Sequence, residues 1–174
     1  MAALLPLQTN NYSVWKDGYR FIGMSTVTLP NLANLTDTLK GAGYGGEQNY
    51  SVQAHYGDWE TTFNFHAITR ESLELMRQQS MLVDCLQGIE YQNPADHLVS
   101  VEGWRITMMI QPRGFDLGSL EVGVKQNVAI ACGLTYIKGV FNGEVVFEKD
   151  KVNLKDEVLH TDYAKPTRLA IGLT

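Results

Sequence analysis

The chain reads as a mainly β protein, an antiparallel β-sandwich or barrel with one flanking α-helix. Three observations predict this. Runs that alternate apolar and polar residues recur along most of the chain, the period of a strand with one packed and one wet face. Two-residue turn signals, Asp17-Gly18 and Asn142-Gly143, lie between such runs. A helical pattern shows in one segment, after Thr69. Many short strands with turn dipeptides and a single helix favour a sandwich or barrel over a parallel α/β sheet.

Taken in order, Asp17-Gly18 turns Tyr12-Ser-Val-Trp-Lys16 back onto Tyr19-Arg-Phe-Ile22. A strand through Thr26-Val-Thr-Leu-Pro-Asn-Leu32 then leads into a glycine-rich, polar stretch from Thr36 to Asn49, expected to be a mobile or sharply turning loop, with Gln48 to Gln53 as loop and strand. From Asp58 the alternation is clear: Asp58, Glu60, Thr62, Asn64 and His66 point one way, Trp59, Thr61, Phe63 and Phe65 the other. Thr69 caps a helix expected over Arg70 to Gln79, with Glu71 in its first turn and Leu73 and Met76 on a buried stripe. Val83 to Gln92 alternates again, Asp84, Leu86 and Glu90 opposing Val83, Cys85, Ile89 and Tyr91, so this strand repeats the acidic face of the earlier one. In Leu98 to Ile110 the apolar parity switches at Gly103, from Val99 and Val101 to Trp104, Ile106, Met108 and Ile110, which predicts a bulge or bend there. Val124, Val128, Ile130, Cys132, Leu134 and Tyr136 form one apolar face before Asn142-Gly143 turns the chain into Glu144 to Glu148.

The 174 residues, 44% hydrophobic and 19% charged, suit a single domain spanning 1–174 with a real core. Met1 to Leu7 is apolar but lacks a basic flank and is too short for a secretory signal or membrane span, so a soluble protein made in the cytoplasm, with no membrane partner, is expected. Cys85 and Cys132 then read as buried thiols rather than a disulfide, and the sequons at Asn11, Asn34 and Asn49 as incidental. Net charge is -5, and from Tyr44 to Trp104 nine acids face only Arg70 and Arg77. Gripping nucleic acid requires clustered Lys and Arg, so this region does not hold DNA.

Chemistry-bearing motifs are weak. Gly41-Ala-Gly43-Tyr-Gly-Gly46 has the letters of a dinucleotide-binding loop, but no helical pattern follows to supply the amide-lined N-terminus, so no cofactor is expected. His55, His66, His97 and His160 show no metal-ligand spacing, and no C-x-x-C or G-x-S-x-G occurs, so no metal or catalytic residue is singled out. Two function classes stand: a self-assembling structural protein, or a small β-barrel that binds a ligand or catalyses a reaction in its interior. The wholly polar Asp58 to His66 face argues against a dry pocket.

The order of these features decides between them. The early hairpin with Thr28-Leu-Pro30, the Lys40 to Gly46 loop, Thr61-Thr-Phe-Asn-Phe65 before the helix, and the late strand pairs together resemble the major tail tube protein of contractile-tailed bacteriophages. The resemblance implies a non-enzymatic virion component, assembled in the host cytoplasm as rings of six subunits that share one inner β-barrel and stack into a hollow tube. Its implied partners are further copies of itself, the sheath, the baseplate, and the tape-measure and tail-terminator proteins, with DNA or an effector passing through the lumen without specific binding. On this basis Thr38, Lys40, Gly41, Gly43, Tyr44, Gly45, Gly46 and Glu47 are expected to form a ring-stacking loop. Asp58, Glu60, Asp84 and Glu90 are expected to face the lumen, and Arg70, Glu71, Glu74 and Arg77 to face the sheath. The charged Lys149 to Asp162 stretch departs from the family's usual ending.

Overall fold

The computed structural model describes residues 4–23, 26–41, 43 and 45–173. Strands β1 (Leu5–Lys16), β2 (Arg20–Ile22), β3 (Thr26–Thr28), β4 (Asn34–Leu39), β5 (Gln48–Tyr56) and β6 (Glu60–Phe65) precede helix α1 (Arg70–Leu75). Strands β7 (Met81–Gln92), β8 (Val99–Asp116), β9 (Val128–Phe141), β10 (Glu144–Asp150), β11 (Lys155–Val158) and β12 (Thr161–Asp162) lead to α2 (Lys165–Ala170). Ten strands form one sheet in the order β12-β11-β10-β9-β8-β7-β1-β2, with β6 on β9 and β3 on β6, while β4 and β5 pair separately. Every pairing is antiparallel. Among the described residues the sheet does not close into a barrel; its order ends at β12 and β2.

Both turn dipeptides make hairpins, Asn142-Gly143 with the two-residue turn expected and Asp17-Gly18 with a three-residue turn that takes in Tyr19, since Lys16 pairs with Arg20. Asp17 and Gly18 have φ of 52° and 75°, Asn142 and Gly143 of 47° and 88°, the positive values that let a tight turn follow the twist of its strands. The alternation in β6 is equally direct: Trp59, Thr61, Phe63 and Phe65 are all buried. They meet Val83 of β7, Met108 and Ile110 of β8, and Val128, Ile130, Cys132 and Leu134 of β9 in one core. Each large side chain so buried contributes about 1.5–3 kcal/mol. Both cysteines are free and buried, and burial pushes each thiol up to about 12.

Strand β9 organises the rest. One of its edges pairs with β8; the other is shared end to end by β6, on residues 128–133, and β10, on residues 136–141. Between them Thr135 is an extra residue, since Ile110 pairs with Leu134 and Met109 with Tyr136. This bulge flips the parity of the strand. Ile137 therefore continues the core, and Tyr136, expected on the same face as Leu134, turns to the other side and donates to Glu148 at 2.8 Å. At Gly139 a Cβ would lie 2.2 Å from the Phe147 ring, which packs directly on the bare backbone.

Several expectations are corrected. The β7–β8 ladder runs unbroken from Met81↔Ile110 to Gln92↔Val99 through Gly88↔Gly103, so Gly103 carries no bulge. Val99 and Val101 instead sit on the face opposite the core, 55% and 60% exposed. Val124 is outside β9 and exposed. Helix α1 stops at Leu75 rather than Gln79, and its buried residues are Ser72 and Leu75, with Leu73 half exposed. Thr69 does cap it, in a box where Ser72 N donates to Thr69 Oγ1 and Thr69 N to Ser72 Oγ. A second helix, α2, takes up Lys165 to Ala170, with Pro166 in its first turn.

Candidate functional site

The residues singled out in the sequence lie on exposed surfaces and at their edges. The expected glycine-rich loop is the tip of an exposed hairpin whose arms are strands: Thr38 pairs with Asn49 and Leu39 with Gln48. Thr38 Oγ1 donates to Asn49 Oδ1 at 2.6 Å, and Lys40 Nζ meets Glu47 Oε1 at 3.2 Å across the tip that holds Gly41, Gly43, Gly45 and Gly46. Tyr44, assigned to the same tip, lies outside the described residues. Every residue of β4 is exposed, as is β5 up to Gln53, including Leu35, Leu39, Tyr50 and Val52. An isolated two-stranded hairpin is marginal in water, so this one has the form of an element waiting for a partner.

The four carboxylates expected at the lumen all lie opposite the core, and three of them are engaged. Asp58 is exposed and held by both terminal nitrogens of Arg113, with Arg113 Nη2 at 2.8 Å from Oδ1. The guanidinium keeps the Asp58 carboxyl below its ordinary range. Arg113 reaches it by crossing Gly133, where a Cβ would come within 2.2 Å of Nε, and a bulge between Pro112 and Gly114 frees Arg113 to do so. Asp84 is 7% exposed and accepts from Thr107 Oγ1 at 2.5 Å, with Arg105 Nε 3.9 Å away. Glu90 accepts from Asn10 at 2.5 Å and Gln8 at 3.1 Å, and these amides lower its pKa. Glu60 is exposed beside them. Strand parity puts Arg105 and Lys138 on the same side, since Lys138 pairs with Thr107 and Thr107 with Asp84. That face is therefore mixed in sign. Arg105 was legible by counting alternate residues; Lys138 was not, because the bulge at Thr135 breaks the count before it.

On α1 and just beyond it, Arg70 and Arg77 are exposed and Glu71 is partly so, while Glu74 turns inward with a side chain only 12% exposed. It meets Lys16 Nζ at 3.4 Å, Arg20 Nη1 at 3.2 Å and Arg77 Nε at 3.0 Å. Burial opposes its ionisation, but the three cations outweigh it and hold Glu74 below the usual carboxylate range. The charged C-terminal stretch is a paired network that sequence reading missed: Lys149 with Asp156, Lys155 with Glu148 and Glu157, and Arg168 with Asp162. Among the described residues no group of three His, Cys, Asp or Glu could hold a metal ion, and no helix is long and apolar enough to cross a membrane.

The phage tail tube protein FII family matches residues 6–172 of this chain. The chain belongs to that family. Its role in the family is structural, in the tail tube. The fold is shared with two cryo-EM structures of an extracellular contractile injection system. One is the PVC sheath/tube terminator in the extended state, at 12% identity and TM-score 0.54, covering 78% of this chain and 96% of that one. The other is the PVC sheath-tube complex in the extended state, at 12% identity and TM-score 0.52, covering 79% and 91%. No match was found among the curated proteins.

Proposed function

We propose that this tail tube protein forms rings of six that stack into the hollow inner tube of a contractile tail, a conduit for DNA or an effector. The family match over 6–172 carries the reading. Physics permits the size: four strands from each subunit make a barrel of about 24 strands, which at ~4.8 Å per strand and ~40° tilt is roughly 50 Å across its backbone and passes duplex DNA. Ring closure also covers strand edges, such as those at β2 and β12, that otherwise invite aggregation. In this arrangement the face bearing Asp58, Glu60, Asp84 and Glu90 lines the lumen, and Arg70 and Glu71 of α1, with Arg77 just beyond it, meet the sheath.

The β4–β5 tip, Thr38 to Glu47 with Tyr44, forms the contact between stacked rings. Leu35, Leu39, Tyr50 and Val52 on the arms of this hairpin are exposed in the single chain and are covered when a neighbour arrives. Negative-stain microscopy of the purified protein tests the class: rings or tubes are expected, and a monomer at every concentration refutes it. Deleting Gly41 to Gly46 is expected to leave a folded subunit that no longer forms tubes, while single rings survive through lateral contacts. Tubes of the deleted protein would move the stacking contact elsewhere.

A further inference from the structure

The β4–β5 hairpin leaves the body at the junction where β6 and β10 meet on β9. Trp59 O accepts from Leu134 N at 3.0 Å, and Lys151 N donates to Thr135 O at 2.9 Å, so the hairpin root and the end of β10 sit side by side at the bulge. Two lysines of this region reach onto the root. Lys151 Nζ donates to Gly57 O at 2.7 Å and lies 4.3 Å from the centre of the Trp59 ring. Lys149 Nζ donates to the Tyr56 hydroxyl at 3.2 Å and lies 4.9 Å from the Tyr56 ring, while Asp156 fixes its charge from below. Tyr56 in turn packs on Trp59 with ring centres 4.7 Å apart.

The root itself is built to bend. Asn34 pairs with Tyr56 and Thr36 with Ser51, so Val52 to His55 stand against the single residue Leu35. Ala54 at the middle of this excursion has φ of 57°, a left-handed conformation that an alanine adopts only when its surroundings impose it. A cavity of about 390 Å³ separates Asn34, Ser51 and Gln53 of the hairpin from Lys149, Asp156 and Tyr163 of the C-terminal strands. The turn after β10 is itself fixed, since Asp150 Oδ1 accepts from Val152 N at 2.8 Å and Asn153 N at 3.0 Å.

We propose that Lys149 and Lys151 latch the hairpin root and set the direction in which the hairpin projects, making them positioning residues for assembly. This deepens the proposed function, in which the hairpin joins stacked rings. The two substitutions that test it leave no buried charge alone. Lys151→Met removes the donor to Gly57 and the cation over Trp59, and Tyr56→Phe removes the hydroxyl that Lys149 holds while keeping the Lys149–Asp156 pair.

Expected in both variants is amide exchange in β5 at least about tenfold faster in the free subunit, with protection in β7, β8 and β9 unchanged. The concentration at which tubes form should rise by a similar factor, and Lys151→Arg, which keeps both the cation and the donor, should restore both readouts. Unchanged β5 exchange overturns the latch. So does faster β5 exchange with normal assembly, if deletion of Gly41 to Gly46 abolishes tubes in the same assay. If that deletion leaves tubes intact, the stacking role of the hairpin fails instead, and the latch stands or falls on the exchange data alone.

Discussion

At the scale of single residues, Glu74 separates a structural charge from a docking charge. Alternation placed the buried side chains of β6 correctly because a strand has only two faces, and Trp59 to Phe65 obey that parity. A six-residue helix offers no such simple rule: Leu73 and Met76 make a plausible stripe, and Met76 does pack on the core, but Leu73 is half exposed and Ser72 and Leu75 are the buried residues. Glu74 follows them and ends among Lys16, Arg20 and Arg77. Lys16 is 5% exposed, so neutralising Glu74 leaves its ammonium buried without its carboxylate partner. Glu74→Gln is therefore expected to lower the melting temperature clearly, and Glu71→Gln hardly at all. Equal melting curves would mean that solvent already screens the cluster. Glu71→Lys is then the clean probe of sheath contact, expected to weaken sheath decoration while tubes persist.

At the scale of elements, hairpins were legible and the C-terminal unit was not. Asp17-Gly18 and Asn142-Gly143 announce their turns because few residue pairs tolerate two positive φ values. The charges of 149–168 look in sequence like a solvated tail, but they are spaced to pair across β10, β11, β12 and α2. Cross-strand partners cannot be read without the register. Burial raises the pKa of Glu148 and of Asp162, but Lys155 and Tyr136 outweigh it for the first, and Arg168 and Ala164 N for the second, so both are held below their ordinary values of 4.5 and 3.8. A carboxylate depressed in the folded state stabilises it fully above the ordinary pKa, and that stabilisation is lost as pH falls through and below it. Acidification from neutrality through that range should thus release β11, β12 and α2 before the β7–β8–β9 core melts. Exchange or NMR intensities that fall together across the whole chain would reject this order.

At the scale of the whole molecule, the antiparallel β class was readable, while strand order was not. Composition and periodicity cannot say that β6 and β10 share one edge of β9, because which strands pair is set by contacts distant in sequence. The parity switch at Gly103 was visible, but its meaning lay at this larger scale. The β7–β8 ladder passes straight through, so the switch exposes Val99 and Val101 instead of bending the strand. Leu5 and Leu98 are exposed at the same end of the sheet, where Leu5 and Val99 both pair with Gln92. Val101 pairs with Glu90 on the face proposed to line the lumen, but at the end of the β7–β8 ladder, where a stacked neighbour would cover it, and such burial is favourable in proportion to its area. Val101→Lys should accordingly leave the melting temperature of the monomer within a degree or so, since the side chain is already 60% exposed. Placing an ammonium in an apolar contact should raise the concentration needed for tubes by at least about tenfold, or ~1.4 kcal/mol per contact. Paired sedimentation and melting measurements decide it: assembly at the original concentration would show that this end of the sheet stays in water within the tube, and a monomer that melts early would show that Val99 and Val101 belong to the fold of the single chain.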